Sequence, residues 1–169
     1  GAFVGNRCGA AMWLVVAIAN AFYFLIFWEL MTLLSYFLVI YETGREESIR
    51  AGYLYFLIAH AGSALILVSF LILFQSTGSM DFAAFRQAAL PGWVKNLVFL
   101  LAFIGFGAKA GMVPLHIWLP RAHPAAPSHI SALMSGVMIK TAVYGILRVA
   151  VDFLGAPDVW LGLVVAAFG

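Results

Sequence analysis

Charge is what this chain is shortest of. Charged residues are 9% of its 169 residues, where soluble domains carry about 25%. A water-facing surface cannot be built from so few, which excludes an ordinary soluble enzyme, a disordered chain and a nucleic-acid binder. The net charge of +2 is too mild to point to a polyanionic partner. Cysteine is nearly absent as well. The single Cys8 excludes an internal disulfide, and without a Cys-x-x-Cys there is no zinc or iron–sulfur ligand set. Neither a Ser-His-Asp set nor a glycine-rich phosphate loop is present. His116, His123 and His129 stand 7 and 6 apart, which is no metal-ligand spacing, and Pro120, Pro124 and Pro127 among them mark a turn. No cofactor is therefore expected in this chain. Apolar side chain is plentiful instead: 64% hydrophobic residues and a mean hydropathy of +1.04. The chain reads as an integral membrane protein whose first partner is the lipid bilayer.

A spanning helix needs about 20 mostly apolar residues, and several segments supply them. Residues 8–41 form one apolar stretch broken only by Asn20 and Glu29. It is too long for one span and splits at Asn20 into a partial span over 8–19 and a full one over 21–41. The polar stretch 42–50 follows, with Ser48 placed to cap the next helix, over 51–74. Residues 75–92 are a polar connection, within which 81–90 reads as a short interfacial helix. The next span is 93–119. Residues 120–127 are a proline-rich turn, Ser128 caps a span over 128–151, and 156–169 is apolar but partial. This predicts an all-α polytopic transmembrane helix bundle, a single domain over 1–169. The chain starts without Met and its last apolar stretch is only 14 residues long, so it reads as an internal piece of a longer protein. Arg45, Arg50 and Arg121 fall on one side and Arg7, Arg86, Lys95 and Arg148 on the other. The positive-inside rule therefore sets no orientation.

All but three of the charged residues sit at span ends or in connections. The exceptions are Glu29, Lys109 and Lys140. Span 21–41 centres on residue 31, two from Glu29, and span 93–119 on residue 106, three from Lys109. Span 128–151 centres at Lys140, and span 51–74 centres two or three residues from His60. Each midplane charge costs about 2.5–3.5 kcal/mol on insertion scales. Such charges usually mark ion or proton pathways. The other reading is a structural Glu–Lys pair that holds helices together, with the second lysine bound to carbonyls. Thr32 and Tyr36 share a face with Glu29, as Gly136, Tyr144 and Arg148 do with Lys140, and Tyr53 and Ser63 with His60. His60 reads equally as a relay group or as a satisfied buried histidine.

The Lys109 helix predicts its own break. Pro114 has no N–H for the carbonyl of Ala110 and clashes with it. Gly105, Gly107 and Gly111 make the backbone deformable. A break there would expose carbonyls and admit water beside Lys109, since broken helices at mid-depth line wet cavities and often mark transport sites. A plain packing kink is the alternative. Met112 and His116 fall at i+3 and i+7 from Lys109 if helicity resumes beyond it.

Two stretches carry a resemblance. Residues 27–39, around Phe27-Trp28-Glu29-Leu30-Met31-Thr32, resemble the glutamate helix of the antiporter-like, proton-translocating membrane subunits of respiratory complex I and related hydrogenases. Residues 107–120, with Lys109, Pro114, His116 and Pro120, resemble the broken lysine helix of that family, and residues 131–141 the helix after it. The order and spacing match over nearly the whole chain. The segment from Pro120 to His129, with Arg121 where complex I members more often carry an acidic residue, most resembles the hydrogenase-4 component B and formate hydrogenlyase subunit 3 branch. Some relatives carry a histidine where Ser135 stands.

The resemblance implies that Glu29 and Lys109 are the coupled pair of a proton half-channel, with Lys140 the next relay group. It also implies that His60 and His116 belong to the polar axis; Tyr144, one turn beyond Lys140, is read from its spacing as a further relay candidate. A nearby carboxylate stabilises an ammonium, and its withdrawal sends the proton on toward Lys140 or water. Moving one charge against a 200 mV gradient takes about 4.6 kcal/mol, which the change of partner together with burial must supply. The expected setting is a multi-pass subunit of the inner (cytoplasmic) membrane, beside other membrane subunits and a peripheral redox arm that does the redox chemistry. The rival readings are a subunit of a multisubunit Na+/H+ (Mrp-type) antiporter and a structural membrane scaffold.

Overall fold

The computed structural model describes residues 2–41, 46–120, 132, 134–155 and 158–168. All of the regular elements among them are helical. The first apolar stretch divides where Asn20 stands: α1 is Ala2–Ala17 and α2 is Ala21–Tyr41. Asn20 itself begins α2, its side-chain oxygen accepting the Phe22 N–H at 3.0 Å, as an N-cap residue does. Its amide also donates to Asp81 at 2.7 Å. Backbone bonds from Ala21 to Met80 and from Phe82 to Ala19 complete a clasp between the two connections. The start of α2 and the segment after α3 therefore share one side of the bundle.

Helix α3 is Glu46–Thr77, 32 residues long. It begins earlier than the expected 51, so Ser48 lies inside it rather than at its cap. A helix of that length runs about 48 Å, well beyond the roughly 30 Å hydrocarbon core. The expected interfacial helix over 81–90 shrinks to one turn, α4, Phe82–Phe85. Packing explains the difference. Phe82 and Phe85 are buried and their rings meet Phe70 and Phe153, so the segment plugs the bundle end instead of lying along the interface.

Helix α5 is Gly92–Ala110, followed by a 3₁₀ turn, Leu115–Trp118. The proline-rich turn and the Ser128 cap fall at 121–131, outside the described residues. The next span is continuous but uneven: a π turn, Met134–Met138, then α6, Ile139–Leu147, then a second π turn, Arg148–Phe153. The partial last span is α7, Val159–Phe168. Among the described residues, four segments are long and apolar enough to cross a membrane: Ala21–Ile40, Ile49–Thr77, Gly92–Trp118 and Met134–Phe153. The chain is an all-α polytopic membrane bundle.

Small residues decide how closely the helices approach. Gly62 on α3 and Gly105 on α5 cross backbone to backbone, and a Cβ on either would lie 2.6 Å from the other's carbonyl oxygen. Such close approach is what small residues provide where lipid supplies no hydrophobic drive. Gly145 on α6 takes the ring of Phe106 in the space a Cβ would fill. On the outside, Trp13, Phe22, Tyr23, Ile26 and Leu30 are exposed, the apolar surface a bilayer demands. Near the bundle end, Arg86 grips Asp152 with two hydrogen bonds of 2.6 and 3.0 Å, and Arg148 reaches the same carboxylate from one turn away. This bond pushes the Arg86 guanidinium still further up from its already high value.

Candidate functional site

Lys109 lies in the last turn of α5 and is 1% exposed. Its ammonium meets α2. It donates to the Thr32 hydroxyl oxygen, approaches the Trp28 carbonyl at 3.5 Å and stands 4.5 Å from the centroid of the Trp28 ring. Thr32 passes its own hydrogen to the Trp28 carbonyl at 3.0 Å. The indole N–H of Trp28 donates to Ser63 at 3.2 Å, and Ser63 to the Ala59 carbonyl at 3.0 Å. The pocket of Lys109 is thus set by Trp28 and Thr32, which repeat at i and i+4 on α2, and is braced by α3.

Glu29 points elsewhere. Its Oε2 lies 3.0 Å from His60 Nε2, while Oε1 is buried with no hydrogen-bond partner. His60 Nδ1 stands 3.2 Å from the Phe56 carbonyl. A carbonyl only accepts, so Nδ1 carries hydrogen and Nε2 faces the carboxylate. The expected direct Glu29–Lys109 pair is therefore not closed in this structure. The helical register explains why. Glu29 is about 100° around α2 from Trp28, so when Trp28 faces Lys109 the carboxylate turns toward α3. There it lines an open groove of about 630 Å³ with His60, Ser63, Ile26 and Leu67.

The helix does break after Ala110, and two carbonyls of its last turn are closed by protein donors. Gly111 takes φ 77°, a left-handed conformation that glycine adopts without strain, and ends the helix three residues before Pro114. The N–H groups of Gly111 and Met112 both reach the Gly107 carbonyl. The Ala108 carbonyl accepts the Trp118 indole N–H at 2.8 Å. These two carbonyls are closed by the protein's own donors, where water was expected. Gly105 proves to be a packing glycine against Gly62 and not part of the break. Gly107 leaves room for Met112, whose sulfur would meet an added Cβ at 3.1 Å.

The remaining candidates are spread out. Helicity resumes as a 3₁₀ turn, so the expected i+7 placement fails and His116 is exposed. Lys140 is on the exposed flank of α6, in a groove of about 280 Å³ with Trp13, Gly136, Thr141 and Tyr144. Tyr144 donates to the Val16 carbonyl at 3.2 Å. Thr141, Ala142 and Gly145 form the buried face of α6, which turns Lys140 to its edge. Trp28 and Trp118 are the functional neighbours to which sequence reasoning gave no role, while Ser63 was read only as a companion of His60. In so apolar a chain a tryptophan looks like core, and only its repeat with a hydroxyl one turn away, as in Trp28–Thr32, hints at more.

The sequence and the fold also match known proteins. Residues 19–168 match the family described as NADH:quinone oxidoreductase/Mrp antiporter, transmembrane. The chain belongs to this family. It is 56% identical over 170 residues to hydrogenase-4 component B of Escherichia coli, covering 99% of this chain and 25% of that one. Identity to NADH-quinone oxidoreductase subunit M of Pseudomonas aeruginosa is 33% over 168 residues, covering 89% and 33%. The fold superposes on a chain of the Mrp complex from a Dietzia species with a TM-score of 0.81 at 29% identity, covering 94% and 30%. The chain therefore spans a quarter to a third of the length of these relatives. Like them it is a multi-pass membrane protein, and family members are subunits of multisubunit membrane complexes.

Proposed function

We propose that this chain carries the Glu29–Lys109–Lys140 half-channel of a proton-translocating, antiporter-like subunit in a hydrogenase or NADH:quinone oxidoreductase-type complex. The observation that carries this reading is Lys109, a buried lysine at a helix break whose ammonium meets acceptors on α2 and, among the described residues, no carboxylate. Buried ionisable groups within the bilayer are costly and mark ion or proton pathways. Glu29 sits one residue from Trp28, within reach of a side-chain movement, and its free Oε1 leaves a place for a donor. In this reading Lys109 exchanges partners on α2, and a proton it releases passes to Lys140 or to water on the α6 side. The 56% identity to hydrogenase-4 component B favours a complex in the inner (cytoplasmic) membrane. Its redox chemistry then lies in a peripheral arm, with no cofactor in this chain.

The test is proton uptake into vesicles that hold the full parent complex, wild type beside Lys109→Ala. Uptake that collapses places Lys109 on the path. Uptake unchanged from wild type makes the midplane charges structural, the scaffold reading. The likeness to the Mrp complex supports a second reading, a subunit of a multisubunit Na+/H+ antiporter. It is separated by coupling: sodium efflux with no redox substrate present favours it, and uptake that needs redox turnover favours the first.

A further inference from the structure

Among the described residues the ammonium of Lys109 has three partners, and each is an acceptor. The Trp28 carbonyl has lone pairs only. The Trp28 ring offers its negative face at 4.5 Å, inside the roughly 6 Å range of a cation–π contact. The Thr32 hydroxyl has already given its hydrogen to the Trp28 carbonyl, so toward Lys109 it presents only a lone pair. An ammonium has three hydrogens and no lone pair, and such a seat fits it. A neutral amine loses the attraction of the ring face, and its lone pair is met only if Thr32 turns its hydrogen away from the Trp28 carbonyl, at the cost of that bond.

The seat is held rigidly. Trp28 is wholly buried and its indole N–H is fixed by Ser63. The Phe106 ring meets it edge-on, 5.0 Å between centroids at 89°, and Phe24 stacks against it at 5.7 Å. One ring face is left for the cation. Glu29, the carboxylate that would otherwise hold Lys109, is occupied by His60 at the same time.

We propose that Trp28 and Thr32 form a charge-selective seat that holds the Lys109 ammonium while His60 holds Glu29, making both positioning residues for the proton step. The inference rests on the reading of Lys109 as a proton carrier. It adds a second stable position for the ammonium that needs no counter-charge. The two positions are a single register step apart on α2, so the exchange is a swing of one side chain. Once the proton has left, the ring no longer attracts the amine and Thr32 must give up its bond to Trp28 to meet it, so the seat's hold weakens.

The experiment uses the assembled parent complex in vesicles, with proton uptake followed by a pH-sensitive dye and assembly checked on native gels. Thr32→Val, which keeps shape and removes the hydroxyl, lowers uptake at least fivefold, and Thr32→Ser restores it to within twofold. At position 28, uptake falls in the order Trp, Phe, Leu, an order that ring-face strength and side-chain volume share, so the fluorinated series decides between them. Fluorinated tryptophan placed at position 28 lowers uptake in step with fluorine number, a graded response that a packing role would not give. If Trp28→Leu fails to assemble, the Thr32 pair and the fluorinated series decide alone. Wild-type uptake in Thr32→Val and in the fluorinated proteins, with Lys109→Ala inactive, overturns the seat and leaves the carrier reading standing. Wild-type uptake in Lys109→Ala overturns both.

Discussion

His60 Nε2 lies 3.0 Å from Glu29 Oε2, so the midplane carboxylate is answered by a histidine on α3 and not by the lysine on α5. With Nδ1 committed to the Phe56 carbonyl, the imidazole presents a single nitrogen to the carboxylate. Glu29 and His60 then behave as one unit on the wall of an open groove. His60→Leu should lower proton uptake about fivefold, and the loss should vanish in a Glu29→Gln background. A double-mutant cycle reads this coupling directly; losses that simply multiply would show two independent residues.

Lys109→Arg should fail as completely as Lys109→Ala. Arginine keeps its proton under all protein conditions and presents a planar fork in place of a compact ammonium. Vesicle uptake below about a tenth of wild type is the expected result for both variants. Pumping retained in the arginine variant would remove lysine deprotonation from the mechanism.

The Trp118 indole closes the carbonyl of Ala108, next to Lys109. Trp118→Phe keeps the ring against Tyr55, 4.8 Å away in the wild type, and leaves that carbonyl unpaired. An unsatisfied buried acceptor costs about 1–3 kcal/mol. The purified complex should melt earlier, and hydrogen exchange at 108–112 should rise. Unchanged exchange there would mean that water already reaches the break.

Gly105→Val should be worse than its distance from the charges suggests. The new side chain meets the Gly62 carbonyl and Ile66, and overpacking of this kind costs about 1–3 kcal/mol or more. Gly62→Val should do the same from the other helix. Yield of assembled complex and its melting temperature are the measurements, and equal stability to wild type would deny the close crossing.

Much of this was legible in the sequence. Hydropathy located the full spans, and Asn20 marked the division between α1 and α2 because a polar side chain in an apolar run is useful mainly as a cap. The break after Ala110 was legible in Pro114 and Gly111, a residue without an N–H and one free to take positive φ. Direction was harder to read. A helical wheel puts Glu29 and Thr32 on one broad face, but which of them meets α5 depends on where α3 stands, and that is a tertiary fact. The same limit hid the exposed place of Lys140, set by Thr141, Ala142 and Gly145 turning inward. Gly105 looked like a weak point in its helix because its partner, Gly62, lies 43 residues away in sequence.

That glycine crossing fixes more than a distance. His60 precedes Gly62 by two residues and Lys109 follows Gly105 by four, about 3 Å and 6 Å along their helices. The contact is thus a fulcrum with the histidine on its short arm and the lysine on its long one. A tilt of 10° between α3 and α5 would move the lysine end by about 1 Å while the histidine end shifts by half as much. A small rocking of the two helices about this contact would thus carry the buried ammonium farther than the histidine that answers Glu29.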